Sequence, residues 1–429
     1  MSPGAETFGR LRRRQGPGVA LGAKLAGRGA VETGAEGATV RVSDGREVLD
    51  FGSYGVTLLG HRHPDVVAAV VAETARMPTS TRLLANRTTA ALVERLGALP
   101  GPPLERVWLG SDGADAVEVA LKLARLASGR RRVLAVHGAF HGKTLGALAL
   151  TWNPAFRAGL DGLLGAVTHV DPADPAAVAR EVARGDVAAL VFEPILGEAG
   201  ARRLDPATLR RWAADARAAG AFVISDEIQT GLWRCGEPAL APTLGIEVDA
   251  VLLGKALGGG LMPIAALVAA PRLHEPLWRD PTLHTSTFGG HPLSCAAALA
   301  AIDALEELRP RILTLAGELD RRLDELALRH RGAVVAVHGE GLLRGVELAT
   351  PALVGAALVE AAAGGLLLSP CLSAPRTLRL LPPAVTTDAQ LGAAIEILGR
   401  AIGAAAREGW GEVDVGSAAG ARAAEVTAR

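Results

Sequence analysis

Lysine is nearly absent from this chain of 429 residues: four (Lys24, Lys122, Lys143, Lys255) stand against 41 arginines. Arginine serves wherever a fixed cation suffices, so a retained lysine points to what arginine does not do, namely lose its proton and act as an amine nucleophile. Aromatic residues are also sparse at 3%, with one tyrosine, Tyr54. The three cysteines (Cys235, Cys295, Cys371) are an odd number at no metal-like spacing, which argues against a disulfide framework and for a reducing, cytoplasmic setting. Net charge is missing too, because 45 basic and 45 acidic residues cancel. Neither nucleic acid nor an anionic membrane is therefore an expected partner. No apolar run reaches bilayer length: the longest uncharged one, 256–271, holds two prolines and several glycines. The Arg-rich N-terminus has no apolar segment behind it, so no signal peptide is expected.

What is present is a composition 49% hydrophobic, enough for one large domain and a smaller one. From about 104 to 270, short β-branched apolar runs (106–109, 132–137, 166–170, 187–192, 221–225, 250–253, 264–269) alternate with helical patterns such as 114–126, 175–183 and 206–218. Uninterrupted apolar strands alternating with helices predict a mostly parallel seven-stranded sheet covered on both faces, with functional groups at the strands' carboxyl ends. Residues 30–52 read as a small antiparallel unit turning at Asp44-Gly45. A helix is expected from Pro292 to about Glu307, then a second α+β region. The division that follows is 1–52 as the N-terminal part of a small domain, 53–308 as the large domain, 309–407 as the C-terminal part of the small domain, and 408–429 as a flexible tail.

Two successive strand ends carry an acid and a scarce lysine: Asp226 in ISDEIQTG and Lys255 in LLGKALGGG. A helix N-cap is the plain alternative for Asp226, and a surface cation beside a flexible turn for Lys255. A nucleotide P-loop fails, because Asp249 and Ala256 stand where glycine and Ser/Thr are required. The apolar, glycine-rich surroundings favour a buried lysine with a lowered pKa. In LGSDGADAVEVALKLAR, Gly113 opens a helix whose free N–H groups suit an anion, and Glu118 is spaced to pair with Lys122. In HGAFHGKT, Phe140 directly follows a strand, where it could stack on a planar ring or simply fill core. His137 and His141 have metal-like i,i+4 spacing but glycines around them and no third ligand nearby, so no metal site is expected.

With these elements in order, the chain resembles class III aminotransferases, the pyridoxal-phosphate enzymes of fold type I that include ornithine, acetylornithine and ω-amino-acid transaminases. The likeness runs from about Val40 to Leu398 through LDFGSYGVTLLGHRHP, FEPILGEAGA, HTSTFGGHPLS and LRLLPP as well as the motifs above. It implies that Lys255 holds pyridoxal 5′-phosphate as a Schiff base and that Asp226 pairs with the pyridine nitrogen. Gln229 would meet the ring hydroxyl, Phe140 and Ile228 would sandwich the ring, and Gly113 and Ala114 would donate backbone N–H groups to the phosphate. Thr287 would reach the phosphate of the neighbouring subunit, making the active unit a homodimer. Arg379 would clamp a substrate carboxylate, with Glu198 as its gate, while Tyr54 and Lys143 would face the far end of the substrate. The implied reaction is ping-pong transfer of an amino group from an amine or ω-amino acid to a keto acid such as 2-oxoglutarate. An aminomutase, a decarboxylating transaminase or a catalytically silent binding protein on the same scaffold are the alternatives. Departures from the pattern are Asp115 for Glu, Leu196 for Gln, His291 for Asn and Lys143 for Arg, and the last loses a two-pronged contact with a carboxylate.

Overall fold

Successive residues of each central strand point to opposite faces, and here both faces meet apolar layers. Leu190, Phe192, Val223, Val251 and Leu253 pack into one core. Their neighbours Ala189, Val191, Ile224, Ala250 and Leu252 pack into another, against the helix Gly113–Ser128. That two-sided burial is why these strands read as continuous apolar runs. The computed structural model describes residues 3–407, so the expected tail, 408–429, lies outside the described residues.

The seven strands are ordered Arg106–Gly110, Ala265–Ala269, Ala250–Leu253, Phe222–Asp226, Val187–Phe192, Arg132–Val136 and Val167–Val170. All run parallel except Ala265–Ala269, which is antiparallel to both neighbours. The sheet is thus mixed, as the connection dictates. Segment 254–264 holds only the 3₁₀ turn Lys255–Gly258 and a glycine-rich bend, with Gly259 and Gly260 at positive φ. It carries no crossover helix, so the chain returns antiparallel.

Segments from both ends of the chain build a smaller unit. Glu32–Glu36, Thr39–Val42 and Glu47–Asp50 form an antiparallel sheet, with Gly45 at φ +87° in the Asp44-Gly45 turn. Leu366–Leu367 joins it in parallel, Leu366 lying opposite Leu49. A second, antiparallel sheet contains Val334–Glu340, Leu343–Leu348, Thr377–Leu380 and Ser369–Pro370. Helices Pro351–Gly364 and Asp388–Arg407 pack on these strands.

Two local expectations are corrected. The helix beginning at Pro292 does not stop near Glu307 but continues to Arg329, through Pro310. Proline removes one hydrogen bond and crowds the preceding turn. A buried stripe of Ile302, Leu305, Ile312, Leu315 and Leu319 on both sides of Pro310 holds the helix together, and it carries the chain unbroken across residue 308. Glu118 does not pair with Lys122. Its Oε1 accepts from the Thr144 hydroxyl at 2.6 Å and the N–H groups of Gly146 and Ala147 at 2.8 and 3.2 Å, capping the helix Leu145–Leu150. Lys122 donates instead to the Leu283 carbonyl at 3.0 Å. Among the described residues no helix is long and apolar enough to cross a membrane.

The cap makes a stability prediction. Glu118→Ala should lower the unfolding free energy by about 1–2 kcal/mol, as loss of a helix cap does. In a double-mutant cycle with Lys122→Ala, the coupling should stay below about 0.3 kcal/mol. A larger coupling in chemical denaturation would restore the ion pair.

Candidate active site

Strands Phe222–Asp226 and Ala250–Leu253 are parallel neighbours, with Asp226 opposite Leu252. Their carboxyl ends therefore open on the same crevice, and a cavity of about 460 Å³ lies there. Asp226 closes its strand rather than following it, and is 4% exposed. Lys255 stands just past the next strand at φ +43°, a left-handed conformation uncommon outside glycine that aims a side chain at a fixed point.

The carboxylate of Asp226 is occupied on both oxygens. Oδ1 accepts the Ile228 N–H at 3.1 Å, and Oδ2 lies 2.7 Å from His141 Nδ1. His141 is buried, its backbone N–H held by the Thr151 hydroxyl at 3.0 Å. Burial opposes the imidazolium, but the Asp226 bond and charge outweigh it and raise the His141 pKa. His141 is thus the carboxylate's partner, while the His137 ring stacks on Trp152 at 4.2 Å. The i,i+4 histidines serve different neighbours.

Lys255 is half-buried and faces the cavity. Desolvation lowers its pKa; Asp226 opposes the shift and Arg379 adds to it. Gly55 packs against both Lys255 and Gln229: a Cβ there would lie 3.5 Å from Lys255 Cδ and 3.7 Å from Gln229 Nε2. Gln229 Nε2 is itself buried with no partner among the described residues, as is His141 Nε2. Unpaired buried donors at a cavity wall fit a polar ligand that completes them.

Across the cavity the helix Gly113–Ser128 begins. The Asp112 side chain caps it, accepting the Asp115 N–H at 3.1 Å, and Asp115 accepts the Ser111 N–H at 3.0 Å. Among the described residues the N–H groups of Gly113 and Ala114 have no partner, so both remain for an anion. Gly113 has a second reason to be glycine. A Cβ would sit 2.7 Å from Ile228 Cδ1, so the bare backbone also admits Ile228 to the cavity floor. Phe140 lines another side, with Phe156 edge-on to it at 6.4 Å.

Tyr54 lies at the mouth, 74% exposed. It belongs to a turn in which Ser53, Tyr54 and Gly55 all have positive φ. Buried Asp50 holds that turn, accepting from the Gly52 N–H at 3.0 Å, the Ser53 hydroxyl and His61 Nε2 at 2.8 Å. Burial disfavours the charged carboxylate, but these three donors outweigh it and lower the Asp50 pKa.

Arg379 and Glu198 form a buried ion pair just behind Gln229, with Glu198 Oε2 also accepting the Leu372 N–H at 2.9 Å. Lys143 does not reach the cavity; its ammonium sits 4.1 Å from the centre of the Phe156 ring. Thr287 is likewise outside it, its carbonyl accepting from Arg82 at 3.1 Å. Two site residues escaped the reading of the sequence. His141 was weighed there only for metal binding. Glu193 lines the cavity directly after strand Val187–Phe192, and a carboxylate at a strand end was the same signal that marked Asp226.

A lysine amine and a carboxylate at adjoining strand ends, with a helix N-terminus and an aromatic face across from them, define a pyridoxal-phosphate enzyme of fold type I. The comparisons with known proteins are specific: residues 27–402 match the model of the family "Aminotransferase class-III", and the chain belongs to that family. It is 37% identical over 374 residues to a putrescine aminotransferase of Pectobacterium atrosepticum, covering 84% of this chain and 80% of that protein. It is 40% identical over 380 residues to an acetylornithine aminotransferase of Mycolicibacterium smegmatis, covering 87% and 93%. The structure is similar to that of the ornithine aminotransferase from Toxoplasma gondii ME49, with TM-score 0.85 and 28% identity over 95% of this chain and 97% of that one. The protein is an aminotransferase that uses pyridoxal phosphate and moves an amino group from an amine donor to a keto acid.

The charges around Lys255 give a prediction with a definite sign. Arg379 lowers its pKa and Glu198 raises it. Arg379→Ala should therefore raise the Lys255 pKa and Glu198→Gln should lower it. The pH dependence of Lys255 reductive methylation in cofactor-free protein, read by mass spectrometry, checks this. Shifts of the same sign in both variants would contradict the assigned electrostatics.

Proposed function

We propose that Lys255 attaches the cofactor through its amine and, once displaced by the donor, carries the proton between the donor carbon and the cofactor. The observation that carries this reading is a desolvated lysine amine facing the same cavity as the Asp226–His141 pair. When bound, pyridoxal phosphate supplies an electron sink for the donor's carbon–hydrogen bond. Asp226 keeps the pyridine nitrogen protonated by placing a carboxylate beside it, and His141 holds that carboxylate in place. Gln229 donates its free Nε2 hydrogens to the ring hydroxyl. Phe140 and Ile228 flank the ring, and the N–H groups of Gly113 and Ala114 hold the phosphate.

The phosphate site is completed in a homodimer by the partner subunit's Thr287. Thr287 adjoins Phe288, 64% exposed, and Arg82 ties this loop to the segment carrying Leu83 and Leu84, which are 92% and 75% exposed. So much apolar surface in one place suits a second copy. Three free, buried cysteines accord with a reducing, cytoplasmic setting.

The donor, on this reading, presents an end without a carboxylate, as a diamine or ω-amino compound does. The Glu198–Arg379 pair neutralises that arginine, and Lys143 is turned onto Phe156. Tyr54, Phe140, Leu261 and Met262 leave the donor side largely apolar. The name of the putrescine aminotransferase relative accords with such a donor. In the second half-reaction Glu198 swings aside and Arg379 receives a carboxylate of the keto acid, 2-oxoglutarate in the simplest case. A gated arginine serves two unlike substrates in turn, which favours transamination over mutase or decarboxylating chemistry.

Lys255→Ala should cut turnover by at least about 1,000-fold, the scale of a lost acid–base group, and remove the visible absorbance of lysine-bound cofactor while the circular dichroism is kept. Wild-type-like turnover without added amine would refute the role of Lys255. Arg379→Ala should raise the KM for 2-oxoglutarate about 10–100-fold, as loss of a charge-assisted contact does. The KM for a carboxylate-free diamine should change far less, and equal effects in steady-state kinetics would mean that the clamp is misassigned.

A further inference from the structure

Glu193 has no part in the roles above, yet it is 4% exposed and borders the cavity. One carboxylate oxygen accepts the Phe140 N–H at 2.9 Å and the other the Gly197 N–H at 3.2 Å. Gly197 is a crossing point. Its carbonyl accepts from Arg379 Nη1 at 3.5 Å, the next residue is Glu198, and a Cβ on it would fall 1.5 Å from Gln229 Oε1. A single buried carboxylate thus fixes two peptides, one bearing Phe140 and the other adjoining the gate and its arginine.

We infer that Glu193 is a positioning residue for the carboxylate-binding half of the reaction, pinning the Gly197 peptide so that Arg379 keeps its aim when Glu198 swings away. This rests on the reading of Arg379 as the substrate clamp. When Glu198 leaves, Arg379 retains two protein acceptors, the Gly197 carbonyl and the Ser369 hydroxyl at 3.4 Å. The first lies one peptide beyond the pinned N–H, so its direction is set through Gly197.

Only an ionised carboxylate suits the two N–H groups. Glutamine offers one acceptor and turns an NH₂ toward the other N–H, and a protonated acid replaces one acceptor with a hydroxyl. The charged groups facing Glu193 are His141, Asp226 and Lys255, with Glu198 and Arg379 acting on the same lysine. Burial pushes the Glu193 pKa up, the charge of His141 pulls it down and that of Asp226 pushes it up again, to about 7. The pin is therefore complete above neutrality and weakens as pH falls through that value.

The test compares holoenzyme with Glu193→Gln and Glu193→Asp, the latter keeping the charge but shortening the reach. Stopped-flow half-reactions use 1,4-diaminobutane and 2-oxoglutarate, with Arg379→Ala as control. Both Glu193 variants should raise the KM for 2-oxoglutarate about ten-fold more than the KM for the diamine. The wild-type KM for 2-oxoglutarate should rise between pH 8 and pH 6, and Glu193→Gln should lack that limb. Amide exchange across 195–200 should quicken about ten-fold in Glu193→Gln, with strand 222–226 unchanged. Wild-type-like exchange there, or a lowered KM for 2-oxoglutarate, would overturn the inference. Faster exchange with an Arg379→Ala control that leaves the KM for 2-oxoglutarate unmoved would sink the clamp reading but uphold the pinned peptide.

Discussion

The bond between His141 and Asp226 joins residues 85 positions apart in sequence and sets the charge of the interior around it. A polar group buried to this depth is costly to leave without hydrogen-bond partners. With an imidazole on one oxygen and a backbone N–H on the other, the Asp226 carboxylate is held in place at the cavity wall. Its neighbours take their electrostatic character from it. It opposes the desolvation of Lys255, raises the pKa of His141 and adds to the upward shift of Glu193. Four titratable groups thus form one balanced set, and moving any of them alters the rest.

Around that set the chain is held by arginines, as its composition foreshadows. Arg234 is buried and has no carboxylate partner among the described residues. It donates to the carbonyls of Gly55, Leu342 and Pro382 at 3.1, 3.3 and 3.0 Å, joining segments from the beginning, middle and end of the chain. Burial without a counter-ion lowers its pKa to about 10. Hydrogen bonds from a charged donor contribute roughly 1.5–3 kcal/mol each, enough to hold a turn of three left-handed residues against Lys255. Glycines at 55, 113 and 197 let the backbone close on Lys255, Ile228 and Gln229, three residues of one cavity wall.

Much of this was legible in the sequence, for particular reasons. The five inner strands of the large sheet are buried and mostly apolar along their length because both faces are covered, and that pattern survives without any knowledge of pairing. Lys255 stood out because lysine is scarce, and Asp226 because it ends an apolar run one strand earlier. Where local rules failed, a distant contact had won. Glu118 had a lysine at helical spacing and caps another helix, because three donors at its loop outcompete one exposed ammonium. Pro310 sits in a helix that propensity would have ended, because burial on either side outweighs one lost hydrogen bond.

By itself the sequence determined the alternation of strands and helices, the acid and the amine at two strand ends, and the glycine that opens the helix across the cavity. Those features follow from local pattern, since side-chain period and strand polarity decide which residues reach the crevice. Only the tertiary structure decided that His141 completes Asp226, that Glu193 bridges the Phe140 and Gly197 peptides, and that Lys143 rests on Phe156 instead of facing the cavity. It likewise decided that the strand following Lys255 runs backwards and that Arg379 pairs with Glu198. Each depends on the distance and direction between groups far apart in the chain, which burial and charge fix only once the core has closed around them.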